Sequence, residues 1–525
     1  MRTAFLLVVS ALALAATAAQ ADDIRVRPGR RAFESALRHA KPGDRLIVRG
    51  TIRGGVVIDV PGVTIDGGSR ARFIGPVTVN ADGVTIRGVR LKRAELVVNG
   101  ADATIEESKL LRSSVYVTGD RASFTRNKVD PQRQVYDAVT IRGDDAVVAG
   151  NELTTFTQGF RIEGANAEVR ENTFDNGWTG VTAVGDDAIV ADNTATSLTV
   201  GFIVGGDRAA LSGNEVHGAN FVIGDDAVVR DNVLSGSSGD AAVTVAGDRA
   251  LIESNTLSSG WGGVDLYGDF AAVASNDVTA SGLGSGAAIG TVGDGATISG
   301  NVVSVARPLS GGMGIGGSQP EDPAEAVRHE LSQSAHDGIS VFGNGNVVSE
   351  NDVQGSVQVG AAVRVQGDGN SVDANTLHDL QRAYAVAMIG DGNTADANDI
   401  SDVNGEGVVV QGADGVVSNT TVSEASYCGF LLVGGARLEN CTATGCWIGV
   451  VNLAQGSSIV DTTVAGNAPY DLVDLAGATV TGSGEIGGTE TNASQFPDLL
   501  GVLESGYIPA PVPVEQFTGP DPSNW

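Results

Sequence analysis

Apolar and polar residues alternate with period two in short runs such as Ala138-Val139-Thr140-Ile141-Arg142. That is the mark of a strand with one face buried. The runs are rich in β-branched residues and are separated by Gly-Asp turns and an Asn, so the units read as strands and turns. The pattern itself repeats. A unit G-D-x-A-x-V-x-x-N, then a variable loop and G-V-x-V, starts at Gly119, Gly143, Gly164, Gly185, Gly206, Gly224, Gly247, Gly268 and Gly293. It resumes at Gly343, Gly367, Gly390 and Gly412, with a weaker copy at Gly434. Most spacings lie between 18 and 25 residues, and the step from Gly293 to Gly343 is a double-length unit. Self-similarity at this period predicts a solenoid, one quasi-one-dimensional all-β domain.

Eight residues after the starting Gly stands an Asn, from Asn127 and Asn151 through Asn214 to Asn398. Asn tolerates left-handed backbone and can hydrogen-bond an identical Asn one turn away. Stacked at the ~4.8 Å strand spacing these residues predict a ladder inside a bend. Asp follows the Gly in most units, as at Asp120, Asp144 and Asp186, where it is a natural turn residue. A column of such carboxylates is compatible with bound Ca²⁺ but does not require it. The sequence leaves the cofactor unknown.

Composition narrows the class. Acidic residues number 63 and basic residues 33, so 33 − 63 gives a net charge of −30. A surface that negative repels phosphate backbones and anionic headgroups, arguing against nucleic acid as a partner. Aromatics are 5% of the chain, leaving Val, Ala, Leu and Ile to build the core. Three cysteines exclude a disulfide-stapled scaffold, although a Cys428–Cys446 bridge between turns, with Cys441 left as a buried thiol, fits an oxidising compartment. Arg2, the apolar run Ala4 to Ala16 and Ala19-Gln20-Ala21 read as a signal peptide over 1–21. No later segment reaches 18 apolar residues. The expectation is a secreted or periplasmic monomer without membrane insertion, with a β-solenoid over 22–488 and an irregular Pro-containing tail over 489–525.

The repeat resembles the right-handed parallel β-helix of the pectate-lyase-like superfamily, in its carbohydrate-binding and sugar-hydrolase form. Ala32 to Ala40, followed by Pro42-Gly43-Asp44 and Val56-Val57-Ile58, is similar to the capping helix and first strand that plug these cylinders. The resemblance implies a single-stranded right-handed parallel β-helix. It also implies a glycan-binding groove lined by one sheet, here the G-V-x-V strands, and by the loops leading into it. One fold hosts lyases, epimerases, hydrolases and non-catalytic binders, so the reaction must be argued from residues.

Alternation places Tyr116, Thr140, Arg161, Thr182, Ile203, Val222, Thr244, Asp265, Gly290, Ser340 and Arg364 outward on those strands. Arg142, Glu163, Tyr267 and Gln366 lie one step further along the same face. Tyr136, Trp178 and Trp261 stand two residues before the strands, where rings can grip the apolar face of a sugar. With Arg142, Arg161 and Glu163 they form the expected substrate-binding set; the arginines suit a uronate carboxylate. Residues 304–335 interrupt the repeat, and Asp322-Pro323-Ala324-Glu325 predicts the start of a short helix carrying Arg328, His329 and Glu330. His336-Asp337 follow at the groove rim.

A uronate lyase or epimerase needs a cation for the carboxylate, a base for the C5 proton and an acid for the leaving oxygen. His336, Asp337, Arg364 and Tyr267 are of the right types, with Asp265 as a second base or metal ligand. The chain lacks the Asp-Pro-His-Asp string of mannuronan epimerases, the Gly-His-Gly and Asn-Thr-Asp strings of polygalacturonases and the Gly-Gly-x-Gly-x-Asp calcium repeat. Two readings follow: a lyase or epimerase-like enzyme on a uronate-containing polysaccharide, or a non-catalytic glycan-binding or envelope structural β-helix.

Overall fold

A computed structural model of the chain describes residues 21–490 apart from 133–135, 237–239, 261, 282–286, 306–336, 356–359, 382–383 and 483. Over these residues 56 strands join in one continuous parallel arrangement, coiled as a right-handed β-helix. One turn shows the plan. Ser123–Thr125 lies in one sheet, Asn127 turns the chain into Lys128–Asp130 of a second, and Asp137–Ile141 lies in the third, the groove sheet. The next turn repeats this with Val147–Ala149, Glu152–Thr154 and Gln158–Glu163, each in parallel register with its predecessor. Alternation sends Val139, Phe160, Val181 and Phe202 inward, where they are fully buried. Rings stack edge-on along the interior, Phe160 on Phe174 at 5.3 Å and Phe174 on Phe202 at 5.7 Å. Helix Arg30–His39 closes the amino-terminal end by burying Phe33 against Phe73 at 5.5 Å.

The repeat residues have plain steric reasons. A Cβ at Gly185 would stand 2.2 Å from the Gly164 carbonyl oxygen, and one at Gly343 2.0 Å from that of Gly293. Only glycine fits where successive turns approach this closely. The Asp that follows accepts the backbone N–H of its counterpart one turn on: Asp144 N–H to Asp120 Oδ1 at 3.1 Å, Asp391 N–H to Asp368 Oδ1 at 2.8 Å. These carboxylates are spent on the turn.

The Asn ladder is present and buried. The backbone N–H and the side-chain Nδ2 of Asn193 both donate to Asn214 Oδ1, at 2.9 and 3.0 Å, and Asn214 does the same to Asn232. The left-handed residue, however, is the one before each Asn, such as Glu171, Asp192 and Asp231 at φ 55–56°. The Asn serves as a partner for amides that the bend strands. Thr420, Cys441 and Thr462 take over its position in the last turns. A second ladder, Asn346–Asn370–Asn393, replaces the usual Ala near the start of the unit.

Two sequence expectations need correction. All three cysteines are free thiols. Cys446 packs in the interior core and Cys428 in a separate cluster on the outer face, so the sheet lies between them and no bridge forms. The outward residue of the short turn is Phe221, not Val222. The register shifts between Val200 and Ile203, Phe221 comes to pair with Ile203, and Val222 is buried. The unit from Gly206 to Gly224 is shorter than its predecessor, so the two steps from Ala219 to Phe221 face the three from Val200 to Ile203, and the extra residue bulges on the longer strand. Asn220, fully buried, bonds the amide of Phe202 and the carbonyls of Gly218 and Ala242 there.

Candidate functional site

The groove sheet sets one outward residue per turn in strict register: Tyr116, Thr140, Arg161, Thr182, Ile203, Phe221, Thr244, Asp265, Gly290, Ser340 and Arg364. Two residues further on, Arg142 and Glu163 face outward on adjacent turns.

The structure brings the first predicted group together. Arg142 donates to the Tyr116 hydroxyl at 2.7 Å and stands 5.3 Å from its ring centre. Its Nε lies 2.8 Å from Glu163 Oε2, while Arg161 Nε lies 2.5 Å from Glu163 Oε1. One carboxylate thus holds two guanidinium groups side by side, each keeping donors free for an incoming anion. Asp137 completes the group. Its Oδ1 is buried with no hydrogen-bond partner among the described residues. Burial pushes its carboxyl above the usual range, with Glu163 adding to the shift and Arg161 and Arg142 opposing it.

Beside this cluster stand two rings. Gln158 N–H donates to the Tyr136 carbonyl and Trp178 N–H to that of Thr157, so Tyr136, Thr157 and Trp178 follow one another on successive turns. Tyr136 and Trp178 are therefore two turns apart, ~9.6 Å, about the length of a disaccharide. They are 73% and 60% exposed, too open to be packing residues. Tyr427 and Trp447 differ: they pack edge-on against each other at 6.3 Å.

Asp265 and Tyr267 lie further along the same face, on strand Val264–Tyr267. Asp265 is five turns from Arg161, ~24 Å by strand spacing. Burial, helped by the charge of Asp240, pushes its carboxyl up to about 6. Burial and then Asp265 push the Tyr267 phenol up to about 12. On the neighbouring turn a Cβ at Gly290 would stand 3.5 Å from Asp265 Oδ1, in ordinary van der Waals contact.

The third group is arranged differently. Arg364 is 4% exposed and Asp337 7%. Arg364 Nε and Nη2 reach Asp337 Oδ2 and Oδ1 at 2.7 and 3.2 Å, and Oδ1 also accepts the Ala361 amide at 2.7 Å. The pair is buried and internally satisfied. His336, Trp261 and the helix expected within 304–335 lie outside the described residues, as do residues 1–20 of the expected signal segment and the tail beyond 490. Sequence reasoning passed over Glu406, two turns beyond Ala361 on the same flank of the face; it is buried, and burial pushes its carboxyl up to about 7. Nothing in the repeat pattern marks it. Among the described residues no three His, Cys, Asp or Glu side chains converge as metal ligands would, and no helix is long and apolar enough to cross a membrane.

The chain matches the right-handed beta helix region over residues 113–319 and 312–468. It belongs to that family. Among solved structures it is similar to a PL6-family alginate lyase, AlyGC, at 11% identity and a TM-score of 0.36, over 90% of this chain and 100% of that one. It is also similar to the catalytic unit of a GH87 α-1,3-glucanase from Streptomyces thermodiastaticus, at 13% identity and 0.22, over 91% and 71%. A third likeness is to the tailspike protein of Escherichia coli bacteriophage HK620, determined with a pentasaccharide, at 13% and 0.19, over 86% and 74%. No curated protein matches the chain in sequence.

Proposed function

We propose that this β-helix acts on a uronate-containing polysaccharide and that the Tyr116–Asp137–Arg142–Arg161–Glu163 cluster is where it does so. The observation that carries the reading is the orphaned, buried Oδ1 of Asp137, set beside two arginines on a face rimmed by exposed Tyr136 and Trp178. In this scheme Arg161 and Arg142 hold the sugar carboxylate and favour charge build-up on it when the C5 proton leaves. Asp137 takes that proton; a carboxyl raised above its ordinary value is better matched to the task near neutrality. The Tyr116 hydroxyl accepts from Arg142 and keeps its own proton to donate.

If that proton goes to the glycosidic oxygen as the C4–O bond breaks, the products are a new sugar end and a C4=C5 unsaturated uronate. If C5 is reprotonated from the opposite face, the outcome is epimerisation. Asp265 and Tyr267 extend the same track and would contact sugars further along, and the leader-like segment 1–21 favours action outside the cytoplasm.

Ultraviolet absorbance of unsaturated uronate on alginate, pectate and glycosaminoglycans tests elimination, and solvent deuterium entering C5 tests epimerisation. Asp137→Asn is expected to remove either signal with glycan retention kept, because a transition-state role is lost. Arg161→Ala is expected to weaken both. Loss of turnover in His336→Ala, with Asp137→Asn still active, would move the chemistry to the His336–Asp337 rim. Binding without turnover in the wild type would favour the non-catalytic reading.

A further inference from the structure

On the second sheet, away from the groove, the solenoid stacks cation on cation. Its usual device is to place an arginine over a carboxylate one turn away, as in Arg121 over Asp102, Arg208 over Asp187 and Arg249 over Asp226. Near the amino-terminal end the strands Thr64–Ile74, Thr85–Lys92, Lys109–Leu111 and Lys128–Asp130 stack instead with Arg72, Arg90, Lys109 and Lys128 in direct register. Lys128 pairs with Glu152 at the far end; Arg72, Arg90 and Lys109 have no ion pair among the described residues. Like charges directly opposite on adjacent strands are destabilising. All four are exposed, and together with Lys92 they line a concavity of 410 Å³. The whole chain has four lysines, and three of them are here.

We infer that this column is a second binding site, for a linear polyanionic glycan lying along the solenoid axis. Successive cations stand one turn, ~4.8 Å, apart, so Arg72 to Lys128 covers ~14 Å. A rod with about one negative charge per sugar matches that repeat, and each contact displaces the self-repulsion the column otherwise carries. Carboxylates close the track, with Asp130 and Glu152 lining its far end. Nucleic acid fits less well. The lining has no aromatic side chain on which bases could stack, and the net charge of −30 repels a long phosphate chain beyond the patch. The site is independent of the groove reading, since it shares no residue with it.

Calorimetric titration of the full-length protein with polygalacturonate and heparin oligosaccharides, with dextran and a single-stranded oligonucleotide as comparisons, tests the inference. In a background with Arg161→Ala to silence the groove, Arg90→Gln/Lys109→Gln is expected to weaken acidic-glycan binding at least tenfold, to flatten its salt dependence, and to leave dextran unbound. The substituted side chains are exposed, and a thermal unfolding midpoint no lower than the parent's confirms that the fold is kept. Equal binding by the double variant and its parent overturns the site. Loss of oligonucleotide binding only, with glycan unaffected, overturns the glycan as its occupant. Turnover in the otherwise wild-type Arg90→Gln/Lys109→Gln protein reports on the groove separately.

Discussion

From Thr140 to Asp265 the central column of the groove face reads Thr, Arg, Thr, Ile, Phe, Thr, Asp, and most of these side chains are partly open to solvent. From Ser340 to Val473 the same column reads Ser, Arg, Ala, Val, Leu, Val, Val, and every one is buried. Ala387, Val409, Leu431, Val451 and Val473 form a cluster separate from the interior core, joined by Tyr384, Cys428 and Ile448. The backbone is the same in both stretches, because a parallel solenoid satisfies its own amides whatever points outward. The outward residues are therefore free to specialise. The first half of the face exposes rings and arginines over a buried carboxyl oxygen without a partner, while the second half is a sealed apolar layer with the Arg364–Asp337 pair at its edge.

The largest test of this contrast compares the two arginines. Arg364→Ala should lower folding stability by about 3–5 kcal/mol, since it leaves the Asp337 carboxylate buried and unpaired. Arg161→Ala should cost less than about 1 kcal/mol, because Glu163 keeps Arg142 and meets water. Urea midpoints measure both, and equal losses would erase the distinction between the halves.

Next in size is a pH effect that reaches highest in the sealed half. The Glu406 carboxyl titrates near 7 when folded, against about 4.3 in an unfolded chain. The folded state holds this proton more tightly. The wild type is therefore favoured at low pH, loses stability as pH climbs from about 4 to about 7, and levels off above. Glu406→Gln removes that loss. It should match the wild type at pH 4 and exceed it at pH 8 by on the order of 2 kcal/mol in urea unfolding. Asp265, titrating near 6 in the open half, gives a loss complete about one pH unit lower. An unchanged Glu406→Gln difference between pH 4 and pH 8 would mean that its carboxyl is not desolvated.

How much of this was legible in the sequence depended on what each residue answers to. Gly185 and Asn193 answer to the adjacent turn alone, so a repeat in the sequence is a contact in the structure. The register of Tyr116, Arg161 and Asp265 followed from period-two alternation and the unit length. Alternation distinguishes inside from outside but is silent on whether the outside is covered, which is why Arg364 read as a groove residue and is buried. Phe221 was missed because its unit is short, and the missing residue shifts a register that counting assumed constant. The cation column needed the bends of all four turns before Arg72, Arg90, Lys109 and Lys128 could be seen to align.

The smallest expected effect bears on the open half most directly. Trp178 is 60% exposed, and its nearest counterpart in the column, Tyr136, is two turns away with Thr157 between. Such a ring contributes little burial to folding, so Trp178→Ala should leave the unfolding midpoint within error. If the ring stacks on sugar, its loss should weaken retention on the cognate glycan by about 1 kcal/mol, roughly fivefold in Kd. Trp447, half-covered and edge-on to Tyr427, supplies the control. Trp447→Ala should cost stability and leave retention alone. A ring in the open half whose removal costs stability but not retention would be a packing residue, and the face would then have lost the feature that most sets its two halves apart.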